Sequence, residues 1–186
     1  YRLTYSLNNT DSELEDIITI LTKKTTYLLL GGFNNTNESL GEYYERHNEY
    51  KDMALYKYFP KDNNTASGYD ESNPNYKYAI ASELAIPQLF NKFNELGIIY
   101  NSYGNIRITQ NNDLIISTIT LPNVKMKEED KNDPQKYNLI TTDLTIYYYF
   151  ININNEYRLA YLFSETKDEV SNYIDKIASQ ENKSNM

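Results

Sequence analysis

The hydrophobic pattern of this chain changes its period at Gly97, and that change constrains the fold more than any other feature. Before Gly97, apolar residues recur at spacings of three and four, which is the period of an amphipathic helix. After Gly97 they alternate with polar residues, which is the period of a half-buried strand. Helices followed by a run of strands predict an α+β domain with N-terminal helices packed on a curved antiparallel sheet of about four strands.

The first two helices are bounded by their own end signals. The first begins at Asp11 or Ser12, either of which can cap a helix, and ends at the glycine pair that starts with Gly31. The apolar pattern then predicts a second helix over residues 39–59, which Pro60 ends. A short turn between them favours an antiparallel helical hairpin.

Residues 61–96 combine a long polar loop with further helical pattern. The loop, residues 61–75, has little to bury, so we expect it to be mobile or to be ordered by a partner. Residues 76–96 predict a short helix, a break, and a new helix with Pro87 at its first position. The break is expected because a proline in a helix interior costs about 3 kcal/mol.

The second half of the chain predicts strands and one last helix. The alternating stretches are residues 106–109, 114–121, 137–153 and 156–163, with Pro122 ending the second and Asn154-Asn155 forming a tight hairpin. Residues 125–136 are charged and read as an exposed connection. A capping box at Thr166 predicts a C-terminal helix, and we expect it to cover the second apolar face of the longest strand.

The chain therefore divides into one domain and two short ends. Residues 1–10 read as a linker or a short strand, residues 11–179 as a single α+β domain, and residues 180–186 as a flexible tail. The chain opens on Tyr1 rather than Met, which indicates an excised segment or a processed protein. We expect any membrane attachment to come from a segment outside this sequence, because no run of about 20 apolar residues is present.

Composition excludes several classes of function. The 186 residues include no Cys and 26 acids against 18 basic residues, a net charge of −8. This balance argues against a nucleic-acid partner, since phosphate binding needs clustered Lys and Arg, and the only dense basic spot is Lys23-Lys24. Without Cys there is no thiolate zinc site and no cysteine nucleophile. We predict no cofactor and no metal.

His47 is the only imidazole, so any triad or histidine-based metal site would have to use it. Glu42, Glu45 and Glu49 surround it at one-turn spacings, which leaves a metal-binding or pH-sensitive cluster open. A half-buried ring with solvated neighbours is the favoured interpretation. No Gly-x-Ser-x-Gly elbow occurs, and no spacing selects a pair of carboxylates. We therefore assign no catalytic residue and expect this chain not to be an enzyme.

Tyrosine, with 20 copies, is the residue type that points to a surface. Tyr147 and Tyr149 lie on the longest predicted strand, and Tyr157 and Tyr161 lie on its predicted neighbour. Cross-strand tyrosine pairs that stabilise the sheet are the favoured role. The alternative is a candidate interaction surface formed by these four side chains, fit for a peptide, a glycan or a protein partner.

The order of these elements resembles the cone-shaped nuclear-transport-factor-like superfamily. The resemblance covers residues 11–165 and lies in an opening helix, further helices, and long antiparallel strands over residues 114–121, 141–153 and 156–163. The nearest functional analogue is the extracytoplasmic scaffold domain of Gram-positive conjugation machines. That resemblance implies a non-catalytic, extracytoplasmic protein-interaction module of a membrane-anchored bacterial protein, with a protein partner.

Two other functions stay open. Residues 157–166 are similar to N-terminal accessory modules of membrane-anchored trypsin-like proteases from low-GC bacteria, which implies a catalytic part outside this sequence. Cone-shaped domains can also hold a small ligand or an active site at the open end of the cone. A deep pocket with convergent polar groups would favour the latter.

Overall fold

The computed structural model describes residues 9–34 and 37–164, and within them three helices precede four strands. The helices are α1, Asn9–Leu30; α2, Leu40–Met53; and α3, Tyr76–Leu96, with a 3-10 turn at Leu55–Tyr58. The strands are β1, Ile106–Asn111; β2, Leu114–Glu129; β3, Tyr137–Ile153; and β4, Glu156–Phe163. They form one curved antiparallel sheet in the order β1-β2-β3-β4, with the helices packed against it. The predicted α+β class is confirmed.

Helix α1 is held to the sheet by buried hydroxyl groups. Oγ1 of Thr22 lies 2.5 Å from Oγ of Ser117 on β2, and Oγ1 of Thr26 lies 2.9 Å from the hydroxyl of Tyr148 on β3. All four side chains are fully buried, and each hydroxyl has a partner, so their burial carries little desolvation cost. The face that carries Ser117 and Tyr148 is therefore the inner face of the sheet.

The predicted apolar stripe of α1 is confirmed along most of its length. Ile18, Leu28 and Leu29 are 0–1% exposed and belong to the main core, and Thr25 is buried beside them. Ile17, which the pattern also placed on the stripe, is 47% exposed. The helix begins at Asn9, before the predicted cap, and it ends at Leu30 before the predicted glycine pair.

The predicted second helix, residues 39–59, is interrupted after Met53. Ala54 adopts an extended conformation, with φ −74° and ψ 140°, and forms a parallel bridge with Leu159 of β4. A residue that pairs with a strand cannot also continue a helix, because its backbone dihedrals differ. The prediction of one continuous helix is therefore wrong, and the chain touches the outer edge of the sheet at this point.

Helix α3 is continuous through Pro87, so the predicted break is wrong. Its buried face extends on both sides of the proline, through Ala79, Ile80, Ala85, Ile86, Phe90 and Phe93. Both halves pack into the same core, and this shared burial offsets the local cost of the proline. Gly97 ends the helix in the left-handed conformation, at φ 59°, as predicted.

The polar loop, residues 61–75, contains an anchor that the sequence did not reveal. Tyr69 is only 1% exposed, and its ring lies 5.9 Å from the ring of Phe59. Its hydroxyl donates a hydrogen bond of 2.6 Å to Oε1 of Glu83, and the Lys61 ammonium lies 4.0 Å from its ring centre. The expectation that this loop has little to bury is therefore wrong.

Strand β2 is longer than predicted because it continues past Pro122. A bulge between Leu121 and Val124 absorbs the proline, and Asn123 adopts a positive φ of 53° there. The Asn123 N–H donates to Oδ1 of Asp143 across the sheet, at 3.0 Å. Prolines are tolerated at bulges, where a ladder hydrogen bond is already missing. Residues 125–129 are consequently strand rather than loop.

Strands β3 and β4 have the predicted bounds, and Asn154 and Asn155 join them with positive φ at both residues, as a tight hairpin requires. The second face of β3 is covered, as predicted, since Tyr149 and Ile151 are both 2% exposed. The helix expected to cover it, from Thr166 onward, lies outside the described residues. The predicted tail and most of the predicted N-terminal linker also lie outside them.

Two neighbouring isoleucines of α1 test this packing. We expect Ile18→Ala to lower the free energy of unfolding by about 2–5 kcal/mol, because the side chain is fully buried. Ile17→Ala removes the same atoms from a half-exposed position, so its cost should stay below about 1 kcal/mol. Urea denaturation of both variants measures the difference, and equal losses would contradict the assigned helix orientation.

Candidate interaction surface

The four tyrosines predicted as a candidate surface occupy two different environments. Tyr149 and Tyr161 are direct cross-strand partners, and they are 2% and 0% exposed. The ring of Tyr149 also lies 6.1 Å from the ring of Tyr78 on α3. These two side chains are therefore interior residues. Tyr147 and Tyr157 are half-buried, so of the four predicted tyrosines these two are partly accessible to solvent.

A two-stranded arm extends from the sheet beyond the strands that flank it. Pairing of β1 with β2 stops at Ile119, and pairing of β4 with β3 stops at Tyr147. The β2–β3 ladder continues from there to the pair Glu129 and Tyr137. We call residues 124–142 the β2–β3 arm. Such a ribbon has little core of its own, because an isolated pair of strands is only marginally stable.

The arm carries the most exposed large apolar side chains of the described sheet. Leu139 is 83% exposed and Tyr137 is 58% exposed. The alternation of β3 places both on one face of the arm, together with Thr141. Sequence analysis missed these residues, although the excess length of the predicted strand 137–153 over its neighbour 156–163 was a usable signal.

Hydrogen bonds outside the ladder fix the direction of the backbone groups in the arm. Lys125 exchanges both backbone hydrogen bonds with Ile99, at 2.8 and 2.9 Å, so its N–H and C=O point away from β3. Lys125 lies opposite Thr141, which makes them a non-hydrogen-bonded pair. The backbone groups of Thr141 therefore also point away from β2, and by alternation so do those of Leu139 and Tyr137.

These outward-pointing groups form an open edge. Within residues 9–34 and 37–164, no strand pairs with this side of β3 before Tyr147. We call the backbone N–H and C=O groups of Tyr137, Leu139 and Thr141 the open edge of β3. Unpaired strand edges are templates for another strand, and soluble proteins usually protect them.

Two lysines lie beside the apolar side chains of the arm. Lys125 and Lys127 lie opposite Thr141 and Leu139 respectively, on the same face, and the Lys127 ammonium lies 5.7 Å from the ring centre of Tyr137. Among the described side chains, neither lysine has a carboxylate within 4 Å. A cavity of about 280 Å³ lined by both lysines, Leu139 and Thr141 adjoins this face.

A second concave region lies between α1, the end of α2 and the β3–β4 hairpin. This groove has a volume of about 490 Å³, and Tyr157 is among its lining residues. Most of its charged groups already have partners: Lys24 lies 3.4 Å from Glu49, and Nη1 of Arg158 donates to the backbone carbonyl of Asp52 at 3.0 Å, whereas no described group bonds the buried Nε of Arg158. A ligand that binds Lys24, Glu49 or Arg158 would have to compete with these existing contacts.

An acidic groove beside α2 contains a buried guanidinium. Arg46 is 5% exposed, and its Nε and Nη2 bond the two carboxylate oxygens of Glu38 at 2.5 and 2.6 Å. Its Nη1 donates to the carbonyl oxygen of Leu28 at the end of α1. This bidentate pair ties the α1–α2 connection to both helices, so the role of Arg46 is structural.

His47 has the half-buried position that the sequence predicted. Its ring stacks on Phe90, with centroids 5.4 Å apart, and no described group bonds its buried Nε2. Burial is the main factor that lowers the pKa of His47, and the positive charges of Lys51 and Arg46 lower it further. Within the described residues no three His, Asp or Glu side chains come together as metal ligands.

No family model, curated protein or solved structure matches this chain. None of the helices in the described ranges combines the length and the apolar character that crossing a bilayer requires.

His47 predicts how stability depends on pH. The pKa of His47 is near the ordinary 6.5 in the unfolded chain and lower in the folded protein. The folded state therefore gains its full stabilisation from the neutral, buried ring at pH values above 6.5. That contribution is lost as the pH falls through the folded pKa. His47→Phe keeps a ring on Phe90 but cannot be protonated, so its stability relative to the native chain should rise as the pH falls.

The comparison is made by urea denaturation of both proteins between about pH 7.5 and about pH 5. Because His47 is the only histidine, the difference between the two curves isolates its titration. A difference that stays constant over this range would show that the imidazole titrates equally in the folded and unfolded states.

Proposed function

We propose that this chain is a non-catalytic protein-interaction module that contacts its partner through the β2–β3 arm. The observation that carries the proposal is the exposure of Leu139, 83%, on a strand whose edge is open. Large apolar side chains are seldom exposed next to an unpaired strand edge unless another molecule covers them. A protein partner satisfies both features at once.

The cellular setting of the module is proposed from the resemblance in element order. That resemblance supports an extracytoplasmic, cell-surface-anchored bacterial protein of the cone-shaped superfamily, attached to the membrane by a segment outside this sequence. The net charge of −8 supports a protein partner over a nucleic acid. The accessory-module alternative, attached to a trypsin-like protease, needs the same kind of contact surface.

The groove that contains Tyr157 favours a second candidate function, the binding of a small ligand. Its volume of about 490 Å³ is in the range of ligand sites. Its ion pairs weigh against this function, because a polar ligand would first have to displace them. We rank this candidate below the interaction module.

A photo-crosslinking amino acid at position 139 tests the proposed function. It is placed in the full-length protein in its native cells, and position 95 on α3, also exposed, serves as the matched control. We expect a discrete protein adduct from position 139 and none from position 95, because only the arm faces the partner.

An adduct from position 95 alone, or none from either position at native expression level, would contradict the arm as the interaction surface. A discrete adduct from position 157, without one from position 139, would transfer the interface to the β3–β4 hairpin.

A further inference from the structure

We propose that the open edge of β3 binds an extended segment of the partner as an added strand, and that this segment alternates apolar and acidic side chains. The inference rests on the proposed function and specifies how that interface works. Strand addition of this kind derives its affinity from main-chain hydrogen bonds and its selectivity from alternate side chains.

The backbone of the arm already has the geometry that an added strand needs. N–H and C=O groups point outward at Tyr137, Leu139 and Thr141, that is, at every second residue. This spacing is about 7 Å, which is the repeat of the hydrogen-bonding groups along a neighbouring strand. A partner segment of five or six residues would span all three positions.

The sequence of the edge lacks the usual protection against pairing. Residues 137–142 contain no charged residue and no proline, the two kinds of residue that commonly protect a strand edge. Four of the six residues, Tyr, Ile and two Thr, are of types enriched in β-strands. The first charge along the strand is Asp143, and its carboxylate accepts the hydrogen bond from the bulge residue Asn123. That charge is therefore engaged with β2.

The side chains beside the edge select the chemistry of the partner. The Lys127 ammonium lies 5.7 Å from the ring centre of Tyr137, which is itself on the edge strand. The Lys127 side chain also passes close to Gly97 on the other side of β2, and its flexible stem lets the ammonium turn toward a partner on the edge. A carboxylate on the added strand would meet this ammonium, and an apolar side chain would cover the exposed face of Leu139. Lys125, on the same face, extends the attraction for acidic side chains.

Charge disfavours a second copy of this chain as the added strand. A second copy would bring a further net charge of −8 up to the whole molecule, whereas a short segment brings only the few carboxylates that Lys125 and Lys127 can pair. In edge-to-edge pairing of two copies, residues 137–142 of one copy would lie against the same residues of the other, and these residues contain no acidic side chain for Lys125 and Lys127. A partner segment with its own acidic residues fits the arm better.

Binding of a short labelled peptide to the full chain tests the proposal. The probe is fluorescein-labelled Thr-Glu-Leu-Glu-Leu-Glu-Thr, and the control peptide replaces each Glu by Lys. Fluorescence anisotropy should show at least about tenfold tighter binding of the acidic peptide at low salt. The double variant K125E/K127E should reverse this preference, because its charges are inverted while the exposed backbone edge is unchanged.

Two further comparisons separate strand addition from general stickiness. N-methylation of alternate peptide residues removes the N–H groups on one side of the strand, so one methylated set should abolish binding and the other should leave it intact. Leu139→Ser, which removes the apolar side chain without adding a charge, should weaken binding by at least about tenfold. Ile20→Ser, at another apolar side chain that is 67% exposed, should not change it.

The proposal is overturned if K125E/K127E keeps the native preference, if both methylated peptides bind equally, or if concentration-dependent dimers form through the arm instead. If position 139 gives a discrete crosslink but any of these results is obtained, the arm is still the interaction surface, and the proposal that the partner binds as an added strand is wrong. If position 139 gives no crosslink but the peptide binds as expected, the edge can accept an added strand, and the proposed role of the arm as the interaction surface in cells is wrong.

Discussion

The register between β2 and β3 is the constraint on which the rest of the structure depends. It places Ser117 beside Tyr148, so that both hydroxyls meet the threonines of α1, Thr22 and Thr26, on one face of the sheet. A slip of one residue would move every side chain of a strand to the opposite face and leave these buried hydroxyls without partners. At the bulge after Leu121 the register shifts by one residue, and in this shifted register the pairing continues into the arm.

The arm exists because the two central strands, β2 and β3, are longer than the two outer strands, β1 and β4. The bulge after Leu121 lets β2 pass Pro122 and stay paired with β3 to residue 137, while β1 and β4 end far earlier. Core packing fixes the inner part of the sheet and reaches the base of the arm, where Val124 is 0% exposed and Met126 packs against the core. Beyond that base the arm keeps its shape through its own ladder and through the bridge from Ile99 to Lys125. The inner parts of β2 and β3 therefore stabilise the fold, whereas the outer parts of the same strands form the proposed contact surface.

Sequence patterns predicted the elements whose bounds depend on local residues, and they missed the features that depend on contacts with residues distant in the sequence. Alternation and the Asn-Asn turn were enough to set the bounds of residues 137–153 and 156–163. The local pattern predicts a break at Pro87 and a strand end at Pro122, but core packing and a bulge accommodate them. Ala54 leaves the helix at the point where β4 offers it a pairing partner. The open edge follows from relative strand lengths after pairing, which no local window of sequence contains.

Amide hydrogen exchange along β3 tests the central claim, that the arm keeps one side of this strand open. The amides of Ile140 and Thr142 bond to β2 and should exchange slowly, whereas those of Leu139 and Thr141 point outward and should exchange fast. NMR exchange rates measured on the free protein should therefore alternate through residues 138–142. Uniform protection of all four amides would show that another segment covers this edge, and the account of the arm as a contact surface would be wrong.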